Sequence, residues 1–412
     1  MIVLAVLALA VLLVGRRADY TVHGTVNAQA VVDSMGVDVH LSYLDTAYGR
    51  FPEIEARLKA LGIRNVRDGA CAGCLEENQR LKTLAAQGVR SDLIMGSPMG
   101  TYGTVPQLLG LLRGPLSSSV VSVEGPNEYD VSGDRSWLPH VWAYQQGIYS
   151  AIKRDPVLKR LPVLGPSFVS AGSYRRFGAF AGTLDAVNLH SYPPSGSPPD
   201  SNVQRELGIA RGVAAAKPVI ATETGYRTGG PPLPGNLPIS EALEAVYLPE
   251  LYLEYFRSGF QRTFVYELVD EKPDPAGLDP EQHFGLLHND LTPKPAYRAV
   301  QNLIAVLSAG GRASTGLRPP DARLTVPDAT PEHSLVAQRA DGAQVLAMWP
   351  PAPDAPGGRS GHLAVITLAT PAPVEVYRPT QSTSPQARYA STGRLTVALG
   401  PDVTLAVIHP HP

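Results

Sequence analysis

The chain has 412 residues, 44% of them hydrophobic and 17% charged, which is the composition of a soluble globular protein rather than a disordered or fibrous one. Its length predicts two domains. The formal net charge of −2 provides no basic surface, which argues against nucleic acid as a partner and favours a small neutral substrate.

The N-terminus contains an apolar segment from Ile2 to Val14, which is shorter than the ~20 residues of a membrane-spanning helix and has the length of a signal-peptide core. Arg16 and Arg17 follow it, which also suits a short membrane anchor. We therefore expect residues 1–30 to be a signal peptide or membrane anchor, and the protein to be secreted or attached to the cell envelope. A buried N-terminal helix is the alternative.

Only two cysteines occur, Cys71 and Cys74. A metal site would need further ligands at suitable spacing, and no cluster of Cys or His supplies them, so we expect neither a metal nor a cofactor. In an exported protein the pair favours a local disulfide that stiffens a loop. Free thiols and a thioredoxin-like redox pair are the alternatives.

Between residues 35 and 305, short apolar runs alternate with amphipathic segments, such as the one with Ile54, Leu58 and Leu61 at helical spacing. Ser240 is placed to cap a later helix. Eight segments are predicted to be strands: 35–41, 64–69, 91–98, 120–128, 161–167, 184–193, 217–226 and 262–270. This alternation predicts an α/β fold, either a (β/α)8 TIM barrel over residues 31–308 or a doubly wound sheet.

Residues 309–412 have a different pattern, in which short alternating runs are separated by Pro, Gly and Ser. They are predicted to form a small all-β sandwich domain after the barrel. The segment contains one tryptophan, Trp349, so a structural role is favoured over sugar binding.

Polar residues stand where most of the predicted strands end, which in a barrel is the active-site face. They are His40, Arg67, Asp68, Asn127, Glu128, His190, Tyr192, Glu223, Tyr266 and Glu267. Glu128 and Glu223 are the strongest candidates because each lies at the end of an apolar strand. Burying a carboxylate there costs free energy, which a functional role would explain. Their spacing predicts the ends of strands four and seven, facing each other across the barrel mouth. Glycoside hydrolases use two carboxyl groups that flank the bond to be cleaved.

Three segments, "EGPNE", "HSY" and "ATETGY", resemble those of clan A glycoside hydrolases, which are retaining (β/α)8 enzymes. The resemblance covers about residues 35–305, and the trailing β domain is similar to that of the β-xylosidase and α-iduronidase family. The resemblance implies that Glu128 is the acid/base and Glu223 the nucleophile. Asn127 would then bind the sugar 2-hydroxyl.

The same resemblance assigns supporting roles to three residues. Arg67 and Tyr192 would hydrogen-bond Glu223, and His190 would line the site near Glu128. An arginine at a strand end would otherwise be an unpaired charge, which also favours a carboxylate partner for Arg67.

At the end of strand eight the sequence departs from the clan, many of whose members place a sugar-stacking Trp there. Tyr266 and Glu267 occupy this position. Glu267 is interpreted either as a ligand of sugar hydroxyls or as the partner of a cation. His40 is either a substrate contact or a buried histidine bonded to backbone, and Glu124 is interpreted as structural because it lies deeper in its strand.

The sequence therefore predicts a retaining glycoside hydrolase that cleaves a poly- or oligosaccharide by double displacement with two glutamates. A transglycosylase would use the same residues. A non-catalytic carbohydrate-binding or envelope scaffold protein is the alternative from another class. His283 and His288, in the loop after strand eight, would line the cleft or be solvated.

Overall fold

The computed structural model describes residues 19–21, 24–178, 181–311, 316–325, 333–350 and 362–410. The predicted signal or anchor core, Ile2 to Val14, lies outside these ranges. Across the described ranges, no helix combines the length and the apolar character that crossing a membrane requires.

The described chain is a mixed α/β structure. The helices are α1 (Ala28–Asp33), α2 (Phe51–Leu61), α3 (Leu75–Ala86), α4 (Val105–Arg113), α5 (Trp137–Arg154), α6 (Ala171–Phe177), α7 (Val203–Ala214), α8 (Glu241–Arg257) and α9 (Pro295–Ser308). The strands are β1 (Asp19–Thr21), β2 (Val26–Asn27), β3 (Met35–Asp38), β4 (Asn65–Gly69), β5 (Arg90–Ile94), β6 (Val120–Glu124), β7 (Val187–His190), β8 (Val219–Thr224), β9 (Phe260–Val265), β10 (Ala322–Thr325), β11 (Ser334–Gln338), β12 (Gln344–Met348), β13 (His362–Tyr377), β14 (Ala387–Leu399) and β15 (Thr404–Ile408).

Seven of the eight predicted barrel strands form one parallel sheet in the order β6-β5-β4-β3-β9-β8-β7. The first predicted strand therefore pairs with the second and with the last. Because all seven strands run in the same direction, their carboxyl ends lie along one edge of the sheet. This edge carries the polar residues selected from the sequence.

The predicted fifth strand, 161–167, is reduced to two parallel bridges. Val163 pairs with Val123 beside β6, and Leu164 pairs with Ala186 beside β7. Pro162 and Pro166 have no N–H to donate, so a longer hydrogen-bonded ladder is not available to this segment. It nevertheless lies between the two edge strands of the sheet.

Helix α2 shows how the amphipathic pattern produces the helical layer. Ile54, Leu58 and Leu61 are buried, as their helical spacing predicts. The helix ends at Gly62, whose φ of 86° is a left-handed conformation that glycine adopts without a steric cost. The predicted cap at Ser240 is also present, since its hydroxyl accepts a hydrogen bond from the backbone N–H of Leu243 at 3.2 Å.

The remaining strands form a separate, mostly antiparallel sheet in the order β1-β10-β13-β15-β12-β11-β2, with β14 paired to β13. Strands β1 and β2 come from before residue 31 and join this C-terminal sheet. Trp349 is 3% exposed and donates from Nε1 to Glu254 Oε2 of α8 at 3.2 Å. Its ring therefore belongs to the contact with the α/β unit.

Candidate active site

Arg67, in the middle of β4, is the centre of the polar cluster and is 4% exposed. Its Nη1 donates to Glu223 Oε1 at 2.7 Å, and its Nη2 donates to Asn127 Oδ1 at 2.6 Å. Its Nε donates to Glu124 Oε1 at 2.6 Å. The guanidinium thus joins the ends of three strands or loops, and the partner predicted for Arg67 is confirmed.

Glu124 is a structural residue, as its depth in the strand predicts. It is fully buried in β6 and accepts hydrogen bonds from Arg67 and, at 2.7 Å, from Asn188 Nδ2 of β7. Both carboxylate oxygens are therefore occupied below the mouth. Glu124 holds Arg67 in place rather than facing a ligand.

Glu223, at the end of β8, is 8% exposed. Its second oxygen accepts the predicted hydrogen bond from the Tyr192 hydroxyl at 3.1 Å. Burial acts to raise the pKa of Glu223, but the charges of His190 and Arg67 and the hydrogen bonds from Arg67 and Tyr192 hold it below its ordinary value. Glu223 is therefore kept as a carboxylate.

The pKa values of the other two carboxyl groups around Arg67, those of Asp38 and Glu124, are raised rather than lowered. Asp38 Oδ2 lies 3.6 Å from Arg67 Nη1, and burial raises its pKa well above the ordinary value. Burial also raises the pKa of Glu124, although Arg67 acts in the opposite direction. One guanidinium cannot compensate three buried carboxylates, and Glu223 is the one that it keeps ionised.

Glu128 follows β6 in a left-handed backbone conformation, with φ 43° and ψ 36°. A non-glycine residue in this region is uncommon and costs on the order of 1 kcal/mol, so it often marks a functional site. The chain turns at Gly125, where a Cβ would stand 2.2 Å from Gln145 Oε1. The turn directs the Glu128 side chain, which is 30% exposed, towards the mouth.

His190 connects the two glutamates. Its Nδ1 lies 2.6 Å from Glu128 Oε1 and 3.3 Å from Glu223 Oε2. One carboxylate oxygen of Glu128, one of Glu223 and a ring nitrogen of His190 all lie within 4.8 Å of one another. The two carboxyl groups selected from the sequence are therefore neighbours across the mouth.

Beyond these residues, His40 and Glu267 form a second polar group. His40 Nε2 lies 3.7 Å from Glu267 Oε2, which also accepts a hydrogen bond from the Tyr48 hydroxyl at 2.8 Å. Burial lowers the pKa of His40 to about 4 and raises that of Glu267 well above its ordinary value. Within the described residues neither Lys nor Arg pairs with Glu267, and both groups are available as neutral hydrogen-bonding partners.

Tyr266 completes this side of the mouth. Its ring centroid lies 5.7 Å from that of His40, in an edge-to-face arrangement, and 5.4 Å from that of Phe284. Burial raises its pKa, so the phenol stays protonated. Tyr266 therefore presents an aromatic surface where many clan A enzymes have tryptophan.

Within the part of the chain that the structure describes, three groups of side chains bring potential metal ligands within 4.8 Å of one another. They are Cys71, Cys74 and Glu77; His40, Glu267 and Glu271; and Glu128, His190 and Glu223. The cysteines of the first group are joined in the predicted disulfide, which withdraws their sulfurs from ligation. The side chains of the other two groups contact one another within hydrogen-bond or ion-pair distance, and we assign no ion to them.

Two of the cavities in the described part of the chain are lined by residues of the loops after β5 and β6. The inner pocket, of about 240 Å³, is lined by His40, Tyr43, Arg67, Gly96, Asn127 and Glu223, among others. The outer groove, of about 800 Å³, is lined by Pro98, Met99, Tyr129, Asp134, His140 and Tyr144, among others. The two cavities are bordered by the same two loops, and Glu128 stands in sequence between a residue of the inner pocket and a residue of the outer groove.

Sequence reasoning missed several residues of the inner pocket. Glu77 lies in α3, where its sequence context is that of an exposed helical acid, yet it is 2% exposed and interacts with Asp68 through a side-chain hydrogen bond. Tyr43 and Tyr102 come from loops whose positions a strand pattern does not specify. His283 and His288 instead lie in ion-pair distance of Asp274 and Glu241.

The fold is similar to that of solved glycoside hydrolases. A family 39 enzyme from Xanthomonas axonopodis pv. citri shares 16% identity at a TM-score of 0.63, covering 95% of this chain and 96% of that chain. A monomeric beta-xylosidase from Caulobacter crescentus CB15 shares 15% identity at 0.61, covering 95% and 98%. A family 39 glycoside hydrolase from Bacteroides cellulosilyticus WH2 shares 16% at 0.61, covering 93% and 82%.

The sequence itself matches no protein-family model and no curated protein. The similarity therefore lies in the fold, which agrees with the resemblance to clan A predicted from three short segments. The structural neighbours of this chain are family 39 glycoside hydrolases of clan A, among them β-xylosidases.

Proposed function

We propose that the protein is a retaining glycoside hydrolase that acts by double displacement with Glu223 and Glu128. The observation that carries the proposal is the pair of carboxyl groups with oxygens within 4.8 Å, of which Glu223 alone is held by a guanidinium and a phenol. Retaining enzymes place their two carboxyl groups about 5–5.5 Å apart, whereas inverting enzymes need roughly 6.5–9.5 Å to admit a water.

In the first step, the Glu223 carboxylate attacks the anomeric carbon while Glu128 donates its proton to the glycosidic oxygen. The bond to the leaving group breaks and a glycosyl ester forms on Glu223. In the second step, Glu128 takes a proton from water, whose oxygen attacks the anomeric carbon and releases Glu223 as a carboxylate. His190, in contact with both side chains, positions Glu128, and Asn127 binds the sugar 2-hydroxyl.

The sugar that occupies the inner pocket is proposed to be neutral. Among the described residues that line this pocket, Arg67 is the only Lys or Arg, and its guanidinium is already bonded to Glu124, Glu223 and Asn127. A uronic acid would bring a further carboxylate next to several buried acids without a free cation. His40, Glu267 and Tyr266 supply neutral partners and an aromatic surface for such a sugar.

The same proposal includes the architecture and location of the enzyme. We infer that residues 31–308 form a (β/α)8 barrel in which the segment 161–167 takes the place of the fifth strand, and that 309–412 form a β-sandwich joined by β1 and β2. The disulfide between Cys71 and Cys74 favours an oxidising compartment, which supports secretion or attachment to the envelope. Fractionation of the native host, followed by detection of the protein, would test this location.

The function is tested by removing Glu128 and supplying azide. On an aryl glycoside with a good leaving group, Glu128→Ala should still form the glycosyl-enzyme, and azide should restore turnover and give a glycosyl azide of unchanged anomeric configuration. A product of inverted configuration would overturn the retaining mechanism. If full activity survives in both Glu128→Ala and Glu223→Ala, the site is not the catalytic one.

The choice of aryl glycosides also tests the neutral sugar. We expect cleavage of a pentoside or hexoside and none of the matching glucuronide. Product analysis with an added acceptor sugar separates hydrolysis from transglycosylation, because the acceptor would replace water in the second step. A protein that binds these glycosides without cleaving any of them would be a carbohydrate-binding protein instead.

A further inference from the structure

The outer groove adjoins the loop that carries the proposed acid. Asn127 lines the inner pocket and Tyr129 lines the outer groove, so Glu128 stands between them in the sequence. The loop after β5 is divided in the same way, because Ser97 lines the inner pocket and Pro98 lines the groove. If the sugar occupies the inner pocket with Glu223, the adjoining groove is a cavity available to the group that departs with the proton of Glu128.

The groove presents apolar surface in an exposed position. Met99 is 72% exposed, and Pro98, Ala143 and the tyrosine rings of Tyr129 and Tyr144 line the groove with it. Large exposed apolar side chains next to a cavity usually mark a surface that binds another apolar group.

Several polar atoms of the groove already have hydrogen-bond partners within the protein. The Tyr144 hydroxyl donates to Met95 O at 2.7 Å, and the Tyr129 hydroxyl donates to Asp134 Oδ2 at 3.2 Å. Asp134 also bonds His140 at 2.5 Å. A second sugar would need partners for several hydroxyl groups, whereas an alkyl or aryl group needs none.

The inner pocket differs in this respect. His40 Nε2 and Glu77 Oε2 belong to side chains that line it, and both atoms are buried without a hydrogen-bond partner among the described residues. Such atoms are costly unless a ligand satisfies them. The two cavities therefore offer different chemistry, polar for the sugar and apolar for the leaving group.

We propose that the natural substrates are glycosides with an apolar aglycone, such as an alkyl or aryl group, which binds in the outer groove. This inference rests on the proposed function, because it uses the direction in which the leaving group departs. It narrows the substrate class from oligosaccharides to sugars attached to an apolar group.

A series of alkyl glycosides tests the inference. Methyl, propyl, hexyl and octyl glycosides of the preferred sugar have leaving groups of nearly equal chemical reactivity, so differences in kcat/KM report binding in the groove. We expect kcat/KM to rise roughly twofold or more with each added methylene until the groove is filled. A disaccharide with the same sugar at its non-reducing end should be cleaved more slowly than the octyl glycoside.

Two variants, at side chains of similar exposure inside and outside the groove, test whether the groove causes the dependence on chain length. Met99→Ser should lower the ratio of kcat/KM for the octyl glycoside to kcat/KM for the methyl glycoside. Leu278→Ser, at a side chain that is 73% exposed and does not line the groove, should leave the whole series unchanged. The methyl glycoside also shows in each variant that the enzyme is folded.

The outcomes separate this inference from the proposed function. If aryl and methyl glycosides are cleaved but chain length has no effect, or if the disaccharide is preferred, the apolar aglycone is wrong and the glycosidase stands. If no glycoside is cleaved, the proposed function fails as well. An equal loss of chain-length dependence in Met99→Ser and Leu278→Ser would show that the groove is not responsible.

Discussion

Buried carboxyl groups lie on both sides of strand β4, and the two sides differ in how the cost of burying these groups is offset. Arg67 points to the side where Asp38, Glu124 and Glu223 meet, and its guanidinium supplies a positive charge to them. Asp68, the next residue, interacts with Glu77, and neither side chain forms an ion pair with Lys or Arg among the described residues. On the arginine side a cation helps to keep one carboxyl group, Glu223, ionised, whereas the pair on the other side has no such cation.

The pKa values follow this difference. On the arginine side, the pKa of Glu223 is lowered in spite of burial. On the other side, burial raises the pKa of Asp68 to about 7 and that of Glu77 to about 10. Glu223, which Arg67, His190 and the Tyr192 hydroxyl all contact, thus stays ionised, whereas burial favours the protonated forms of Asp68 and Glu77.

The largest effect is expected from removing the ionised carboxylate itself. Glu223→Gln keeps the size of the side chain and its ability to form hydrogen bonds but removes the proposed nucleophile, so kcat should fall by a factor on the order of 10⁴ or more. The variant should keep its affinity for substrate, measured by calorimetry or by fluorescence of an aryl glycoside. A kcat within tenfold of the parent would show that Glu223 is not the nucleophile.

Removing the cation should cost stability as well as activity. Arg67→Met leaves Asp38, Glu124 and Glu223 without their shared partner, and breaking a buried pair in this way costs about 3–5 kcal/mol of unfolding free energy. Denaturant unfolding at pH 7 measures it. The loss should become smaller at lower pH, because Glu223, the carboxylate that Arg67 helps to keep ionised, then takes up a proton. For the same reason, the acidic limb of the pH profile of kcat/KM should move to higher pH in Arg67→Met.

Arg262 provides the control for this variant. It is a second arginine of the parallel sheet, 14% exposed, and it lies 3.9 Å from Asp92 away from the mouth. Arg262→Met should reduce stability without changing the pH dependence of kcat/KM. A similar pH shift in both arginine variants would mean that general loosening of the sheet, and not the charge of Arg67, controls Glu223.

The arginine side was largely predictable from the sequence. Glu128, Glu223, Arg67, His190 and Tyr192 all stand where an apolar run ends, and the parallel strands bring such ends to one edge. The contacts of Arg67 and Tyr192 with Glu223 followed from a resemblance that rests on short segments around the strand ends. Local order along the chain was sufficient because each of these residues lies in a regular strand or shortly after the end of one.

The contact between Asp68 and Glu77 could not be predicted, since one residue lies in a strand and the other in a helix. Glu77 lies on a helix in the sequence "LEENQR", where an acidic residue is ordinarily solvated, and only the packing of α3 against β4 buries it. The fifth strand was also overestimated, because an apolar run between two prolines looks like a strand but cannot form a full ladder. The extension of the C-terminal sheet by β1 and β2 required long-range pairing that short sequence patterns do not encode.

A substitution at Glu77 tests whether this buried side chain is protonated in the folded protein. Its folded pKa is raised above the unfolded value, so its stabilisation is complete below about pH 4.5 and is lost as the pH rises towards the folded value. In Glu77→Gln this contribution is removed. Between pH 5 and 8 the variant should therefore gain stability relative to the parent, by on the order of 1 kcal/mol for each pH unit.

Glu76→Gln is the matched control, since Glu76 is the preceding residue of the same helix with a side chain that is 57% exposed. Thermal or denaturant unfolding across the pH range compares the three proteins. If Glu77→Gln and the parent lose stability in parallel as the pH rises, Glu77 is ionised in the folded protein and the two faces of β4 do not differ as described.

The smallest effect is expected from the phenol that assists the arginine. The Tyr192 hydroxyl donates to Glu223 Oε2 and contributes to the lowered pKa of that carboxylate, after the larger contributions of His190 and Arg67. Tyr192→Phe removes one hydrogen bond to a charged group and should lower kcat/KM by about tenfold. Because the pKa of Glu223 then rises, the acidic limb of the pH profile of kcat/KM should move to higher pH. Loss of activity without that movement would mean that Tyr192 contacts the substrate rather than tuning the nucleophile.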